Sequence, residues 1–247
     1  MIIKNTITGR FPLVVHAPDL ESNEIWKNLY DCFFHLSCCP AKLSDDLTII
    51  TWNNLETSPL EKCLQFKSIP YKVLGKDLLI WNNLEKFKLN ILALSKIKTK
   101  YVMGLDSHDV LVLGSPLDIV KKFETMNCDL LFNSETYFYP DLAKEYYIIA
   151  KKFQDKVGNG KYRYLNSGAW IGKLDYCKFF FEKCIGIRIW ELFDCSDCLK
   201  LFNCDQSVVH SIFMQCHPRV MLDYNCEIFC NLARTEKKEI VTMVKNI

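Results

Sequence analysis

The sequence predicts an α/β domain with a mixed, mostly parallel central sheet flanked by helices. Three observations carry this. Short apolar runs of strand length alternate with segments of helical periodicity along most of the chain. Polar residues gather just after those runs, at the edge where such sheets bind ligands. The chain has 247 residues, 49% hydrophobic and 24% charged, with no internal repeat and no Gly/Ser-rich linker. That suits one packed domain, read as spanning 1–247, with a core large enough to need no staples.

The elements follow in order. Residues 47–52 (Leu-Thr-Ile-Ile-Thr-Trp) read as a buried strand. A helix over 57–67 follows, with Thr57 or Ser58 as N-cap and Pro59 in its first turn. Residues 71–75 form a second strand, and 84–98 carry a broad apolar helical face through Phe87, Leu94 and Ile97. A third strand over 101–105 runs into Asp106, and Pro116 opens a helix over 116–126. Residues 129–133 are a fourth strand, 141–155 a helix, and 164–172 a strand–turn element with two glycines. Helices over 174–194 and 205–215 and strands over 220–223 and 226–229 complete the pattern.

Several function classes are excluded. A formal charge of +2, with lysines scattered and only five arginines, leaves no electrostatic footprint for nucleic acid. No apolar run reaches the roughly 18 residues of a membrane helix. The start, Met1-Ile2-Ile3-Lys4-Asn5-Thr6, lacks the form of a secretory leader, so the expected location is the cytoplasm. Thirteen cysteines then read as reduced thiols, mostly small buried hydrophobes. Cys195 and Cys198 have metal-like spacing with Cys204 nearby, but no second spaced pair completes a zinc site.

The chemistry concentrates in a few segments. Asp106 and Asp109, in Asp-Ser-His-Asp directly after an apolar strand, would stand together at the carboxyl edge of the sheet. Such a pair suits a hard divalent cation bridging a diphosphate; the plainer account is one capping and one solvated aspartate. Glu135 follows the next strand, with Tyr137, Phe138 and Tyr139 after it. Asn166-Ser167-Gly168 offers small residues where backbone can approach a ligand, or simply a tight turn. Asp205-Gln206 stands at a helix start, as a catalytic pair or as a cap with a solvated amide.

In this order, Asp-Ser-His-Asp-Val, Phe-Asn-Ser-Glu with Tyr-Pro, Tyr-Leu-Asn-Ser-Gly-Ala-Trp-Ile-Gly, Asp-Gln and Leu-Asp-Tyr-Asn-Cys-Glu-Ile-Phe-Cys-Asn-Leu resemble one family. It is the glycosyltransferase domain of procollagen lysyl hydroxylases and their viral and microbial relatives. The resemblance covers residues 47–232. It implies the GT-A fold, Rossmann-like and nucleotide-sugar-binding, with a UDP-sugar donor, Mn2+ or Mg2+, and retaining transfer. On the family pattern Asp106 and Asp109 are metal ligands. Thr51, Trp52, Lys88, His108, Asn166, Ser167 and Gly168 bind the donor. His108 stands where the family has an aromatic residue. Tyr139 and Trp170 wall the pocket. Asp205, then Glu135, are the candidates to stabilise an oxocarbenium-like transition state, with Gln206 beside them.

The family completes its metal site with a histidine in Pro-Val-Val-x-His-Gly-Asn-Gly, downstream of the Ile-Phe-x-Asn-Leu element. Here Phe11-Pro12-Leu13-Val14-Val15-His16 near the start resembles that stretch, and Trp26 and Leu29-Tyr30 follow it. The implied arrangement is a circular permutation, with 1–40 as the family's closing segment and His16 as third ligand; otherwise 11–15 is an extra strand. Two alternatives remain. A nucleotidyltransferase would show a glycine-rich or basic loop after the first strand, and Thr51-Trp52-Asn53-Asn54-Leu55-Glu56 has neither. A degenerate nucleotide-sugar-binding or interaction protein would have His16 remote from the aspartates. The expected partners are a UDP-sugar and a glycan or hydroxylated acceptor.

Overall fold

The computed structural model describes residues 2–18, 24–36, 40–140, 145–187, 204–234 and 240–243. Its centre is a six-stranded sheet. In chain order these strands are β3 (Leu47–Trp52), β4 (Tyr71–Leu74), β5 (Tyr101–Asp106), β7 (Leu130–Glu135), β8 (Tyr164–Lys173) and β9 (Val220–Leu222). They lie in the order β4-β3-β5-β8-β7-β9. β3 is parallel to β4 and β5, and β7 is parallel to β9. β8 runs antiparallel to both neighbours, β5 and β7. The mixed α/β architecture is thus the one the sequence predicts, with β8 as the reversed strand.

That reversal builds the site. Because β8 runs against β5 and β7, its start lies beside their carboxyl ends: Leu105 pairs with Ala169 and Glu135 with Tyr164. Asn166, Ser167 and Gly168 therefore share an edge with Asp106 and Glu135. β8 is a continuous ten-residue strand rather than a strand and turn; the irregularity is a register shift opposite Phe132/Asn133.

Alternating residues of each strand feed two cores. On one face Ile49, Met103 and Ile171 pack with α2 (Pro59–Phe66), α4 (Pro116–Glu124) and a second, three-stranded sheet. On the other, Ile50, Val102 and Trp170 pack under α3 (Glu85–Leu94), α5 (Glu145–Val157), α6 (Leu174–Gly186) and α7 (Asp205–Cys216). The second sheet has the order β10-β2-β6, from β2 (Val14–His16), β6 (Val110–Val112) and β10 (Phe229–Asn231). β1 (Ile2–Asn5) pairs antiparallel with β11 (Ile240–Met243), and α1 (Glu24–Leu36) follows β2.

Local sequence explains most boundaries. Ser58 caps α2, accepting the Glu61 N–H, while the Glu61 carboxylate accepts the Ser58 N–H, and Pro59 follows the cap. Ser115 caps α4, its Oγ accepting the Asp118 N–H and donating to the Asp118 carboxylate, with Pro116 next. Two expectations shift. The strand predicted at 226–229 forms at Phe229–Asn231 instead. The buried Asp223 carboxylate accepts the N–H groups of Glu227, Ile228 and Phe229, which ties that stretch into a turn. β6 was not predicted; its three residues are recognisable as a strand only by pairing with β2. Residues 188–194 of the predicted fifth helix, 141–144 of the fourth, and Cys195 and Cys198 lie outside the described residues. Nine described cysteines are free, and no helix among the described residues is long and apolar enough to cross a membrane.

Candidate active site

β5 delivers Asp106 at its last residue, and a short turn carries Asp109 to the start of β6. β2 supplies the third group. His16 pairs in register with Val110, and the Ala17 N–H donates to the Asp109 carbonyl at 2.8 Å. The antiparallel ladder therefore sets His16 beside the Asp106–Asp109 turn despite its distance in sequence. His16 Nε2 lies 3.3 Å from Asp109 Oδ2 and 3.9 Å from Asp106 Oδ2. One ligand atom from each residue falls within 4.8 Å of the others, so the trio could hold a metal ion.

The electrostatics follow from burial and mutual charge. Burial works against a charged His16, but Asp109, Asp106 and Glu135 outweigh it and raise its pKa. Burial likewise works against a charged Asp109, yet His16 and Lys86 hold its carboxyl below the usual range. Asp106 moves the other way: burial raises it, Lys86 opposes, and the neighbouring Asp109 adds to the rise.

Two features fit a cation here. His16 is 1% exposed, and its Nε2 is a buried nitrogen without a hydrogen-bond partner. Gly168 leaves room: a Cβ there would lie 2.5 Å from Asp106 Oδ2 and 3.0 Å from His16 Nε2. Two carboxylates and an imidazole suit Mn2+ or another divalent ion of similar preference.

The rest of the site is a hydrogen-bonded net. Lys86 on α3 places Nζ 2.7 Å from Asp106 Oδ1 and 3.4 Å from Asp205 Oδ2, and lies over the Trp52 ring. Gln206 Nε2 donates to Glu135 Oε1 at 2.7 Å and to the Tyr139 carbonyl at 3.0 Å. The Ser167 N–H donates to Gln206 Oε1, and Asn166 Nδ2 approaches Glu135 Oε2. These groups surround a cavity of about 560 Å³.

The cavity brings together His16, Asp106, Asp109, His108, Trp52, Glu135, Tyr139, Asn166, Ser167, Gly168, Asp205 and Gln206. Three expected residues lie elsewhere. Lys88 points outward and pairs with Glu85 at 2.9 Å. Two residues on a helix turn the side chain about 200°, so Lys86 faces the cavity and Lys88 cannot. Trp170 is 1% exposed in the core. It packs on Phe181 and Trp52, against the face of β5 left open by Gly104. Thr51 is buried mid-sheet between Val73 and Leu105, one position short of the cavity that Trp52 lines.

Lys86, Asn53, Asn54, Trp81 and Asn83 line the cavity and were not singled out from sequence. For Lys86 the signal was present: it sits one residue from the buried Phe87 on the inward side of α3.

Comparison with known proteins places the chain in a family. Residues 47–246 match the family described as PLOD GT domain. The chain is 30% identical over 217 residues to human "Procollagen-lysine,2-oxoglutarate 5-dioxygenase 1", covering 78% of this chain and 26% of that protein. It is 29% identical over 193 residues to "Uncharacterized protein R699" of Acanthamoeba polyphaga mimivirus, covering 73% of this chain and 37% of that one. Human "Multifunctional procollagen lysine hydroxylase and glycosyltransferase LH3" is 41% identical over 73 residues, 29% of this chain and 9% of that protein. The chain thus spans well under half the length of these relatives. With a match over most of its residues, it belongs to the PLOD GT domain family, the glycosyltransferase domain of lysyl hydroxylases.

Proposed function

We propose that this domain moves a hexose from a UDP-sugar, UDP-glucose or UDP-galactose, to a hydroxyl of a glycan or hydroxylated acceptor, with retention at the anomeric carbon. The observation that carries the reading is the His16–Asp106–Asp109 cluster opening into the same cavity as Asp205 and Glu135. The 3.3 Å approach of His16 to Asp109 favours turnover over a degenerate binding protein.

His16, Asp106 and Asp109 would hold Mn2+ or Mg2+, which supplies Lewis-acid neutralisation of the diphosphate leaving group. The remaining steps belong to the chain's own groups. Trp52 and His108 offer flat rings for the nucleoside. Lys86 brings a fixed positive charge between the Asp106 and Asp205 carboxylates. Asp205 places negative charge where the anomeric centre turns cationic. Gln206 and Asn166 orient Glu135 beside it. Gly168 lets the backbone approach the donor. Tyr137 and Tyr139 close the rim against water, limiting hydrolysis of the donor.

The reading treats 1–247 as one transferase domain with a permuted order, residues 1–40 standing for the family's closing segment. The placement of β2 beside β10, in parallel, and the family match beginning at residue 47 support this. A reducing, cytoplasmic setting is part of the same proposal, supported by the free thiols of the described cysteines.

The experiment is UDP release from a panel of UDP-sugars, with Mn2+ and with EDTA, for wild type, Asp106→Ala and His16→Ala. Metal-dependent release from one donor, lost in both variants, is the expected result. Release that survives His16→Ala would remove the permuted metal site and keep the transferase. Absence of both release and UDP binding would overturn the function.

A further inference from the structure

Asn133 lies on the side of His16 away from the aspartates. It is fully buried in β7, at the register shift that follows Phe132. Successive side chains of a strand point to opposite faces of the sheet. Phe132 packs into the core under the helices, and Asn133 turns toward the second sheet, where its Nδ2 lies 3.2 Å from His16 Nδ1.

Two buried atoms of this pair have no hydrogen-bond partner: Asn133 Oδ1 and His16 Nε2. Which end of the amide faces the ring decides the tautomer that the ring adopts. The amide can present either end to the ring. With nitrogen toward Nδ1, the ring must keep its lone pair there, and a neutral imidazole then carries its proton on Nε2. Half a turn of the amide brings Oδ1 to the same place. It then accepts the Nδ1 proton, and the Nε2 lone pair faces Asp106 and Asp109.

We propose that Asn133 is the positioning residue for His16: its amide oxygen holds the Nδ1 proton, fixes the ring, and commits Nε2 to a divalent cation. The inference rests on the metal reading above. A carboxylate or carbonyl partner on the far nitrogen of a metal-binding histidine orients the ring and raises its basicity. Here a side-chain amide takes that role from a neighbouring sheet, so ring placement depends on the seam between the two sheets.

The test is Mn2+ affinity, read from the free-ion EPR signal, for wild type, Asn133→Leu, Asn133→Asp and His16→Ala. Asn133→Leu keeps the volume and removes the acceptor, so binding should weaken about 10- to 100-fold. Asn133→Asp accepts in either rotamer and should bind within about threefold of wild type or tighter. Affinity of Asn133→Leu within about twofold of wild type would overturn the proposal, as would equal losses in the Leu and Asp variants. A wild type that binds Mn2+ no better than His16→Ala would instead overturn the metal reading, and this inference with it.

A second measurement needs no variant. In wild type loaded with diamagnetic Cd2+, 15N spectra should show His16 bound through Nε2, with a slowly exchanging Nδ1 proton. Ligation through Nδ1, or an Nδ1 proton exchanging freely with water, would overturn the assignment.

Discussion

At Gly168 one methyl group separates an open donor set from a filled one. A Cβ would press on the His16 ring and the Asp106 carboxylate, both held by their own strands. Gly168→Ala should therefore cut Mn2+ affinity by about 100-fold or more while shifting the melting temperature by only a few degrees. EPR titration and a thermal melt check the two halves separately. Lys86 and Lys88 make a matched pair on one helix. Lys86→Met removes a buried cation from between two carboxylates, and donor turnover should fall about 100- to 1,000-fold. Lys88→Met changes an exposed i,i+3 pair and should leave turnover within about twofold. A UDP-release assay on both variants decides whether α3 presents the face described. Sequence alone placed the basic group on the right helix but two residues along, because Lys86 and Lys88 carry the same chemistry and only helix rotation distinguishes them.

Among the elements, α2 was the most legible. Its cap, its Pro and its Glu61 are all local, and local chemistry fixed both ends. What the sequence did not disclose is the role of Lys67 just after it. Lys67 is 4% exposed and donates through Nζ to the carbonyls of Val112, Leu113 and Gly114 at 2.5 to 3.3 Å. It ties α2 to the end of β6, and so to the strand that faces His16. Lys67→Met should destabilise the fold by about 2–4 kcal/mol, since three neighbouring carbonyls lose a shared, buried donor together. Urea unfolding measures it; a change under about 0.5 kcal/mol would mean that water replaces the ammonium at no cost. β6 and β10 were poorly legible for a related reason. Three-residue strands carry no periodicity of their own, and each is defined by its partner β2 and, for β10, by the Asp223 turn before it.

Across the molecule, pH stability joins the two cores. His210 is buried on α7, stacked on Phe138. Its Nε2 bonds the Tyr139 carbonyl and its Nδ1 meets Gln154 Nε2. Burial pushes its pKa down to about 4. The fold therefore binds fewer protons than the unfolded chain below pH 6.5. This contribution is present above that pH and is lost as pH falls toward 4, an effect of about 3 kcal/mol. Asp223 acts in the opposite sense. Burial raises it to about 6 against the three N–H groups it accepts, so its contribution is present near pH 4 and lost as pH rises through 6. The two largely offset between pH 4 and 6. In His210→Gln the compensation disappears: its stability deficit relative to wild type should shrink by about 3 kcal/mol from pH 7 to pH 4. Denaturant melts at the two pH values test this, and a deficit independent of pH would show that His210 titrates normally in the fold.

By itself the sequence determined the alternation of strands and helices, the helix caps and the carboxylates waiting at strand ends. All of these follow from backbone periodicity and short-range hydrogen bonding, which a few neighbouring residues fix. The family motifs extended that reading to His16, but no local rule ties a histidine near the start to aspartates in the middle of the chain. Tertiary structure decided the rest: that β8 runs backward and carries Asn166 to Gly168 to the edge, that β2 inserts between β10 and β6, that Trp170 fills the space above Gly104 instead of the pocket, and that Asn133 reaches the far nitrogen of His16. Those outcomes depend on register and strand direction across sheets. They are chosen by which long-range packing buries the most apolar surface while leaving the fewest polar groups unpaired, a condition on the whole chain that no single segment contains.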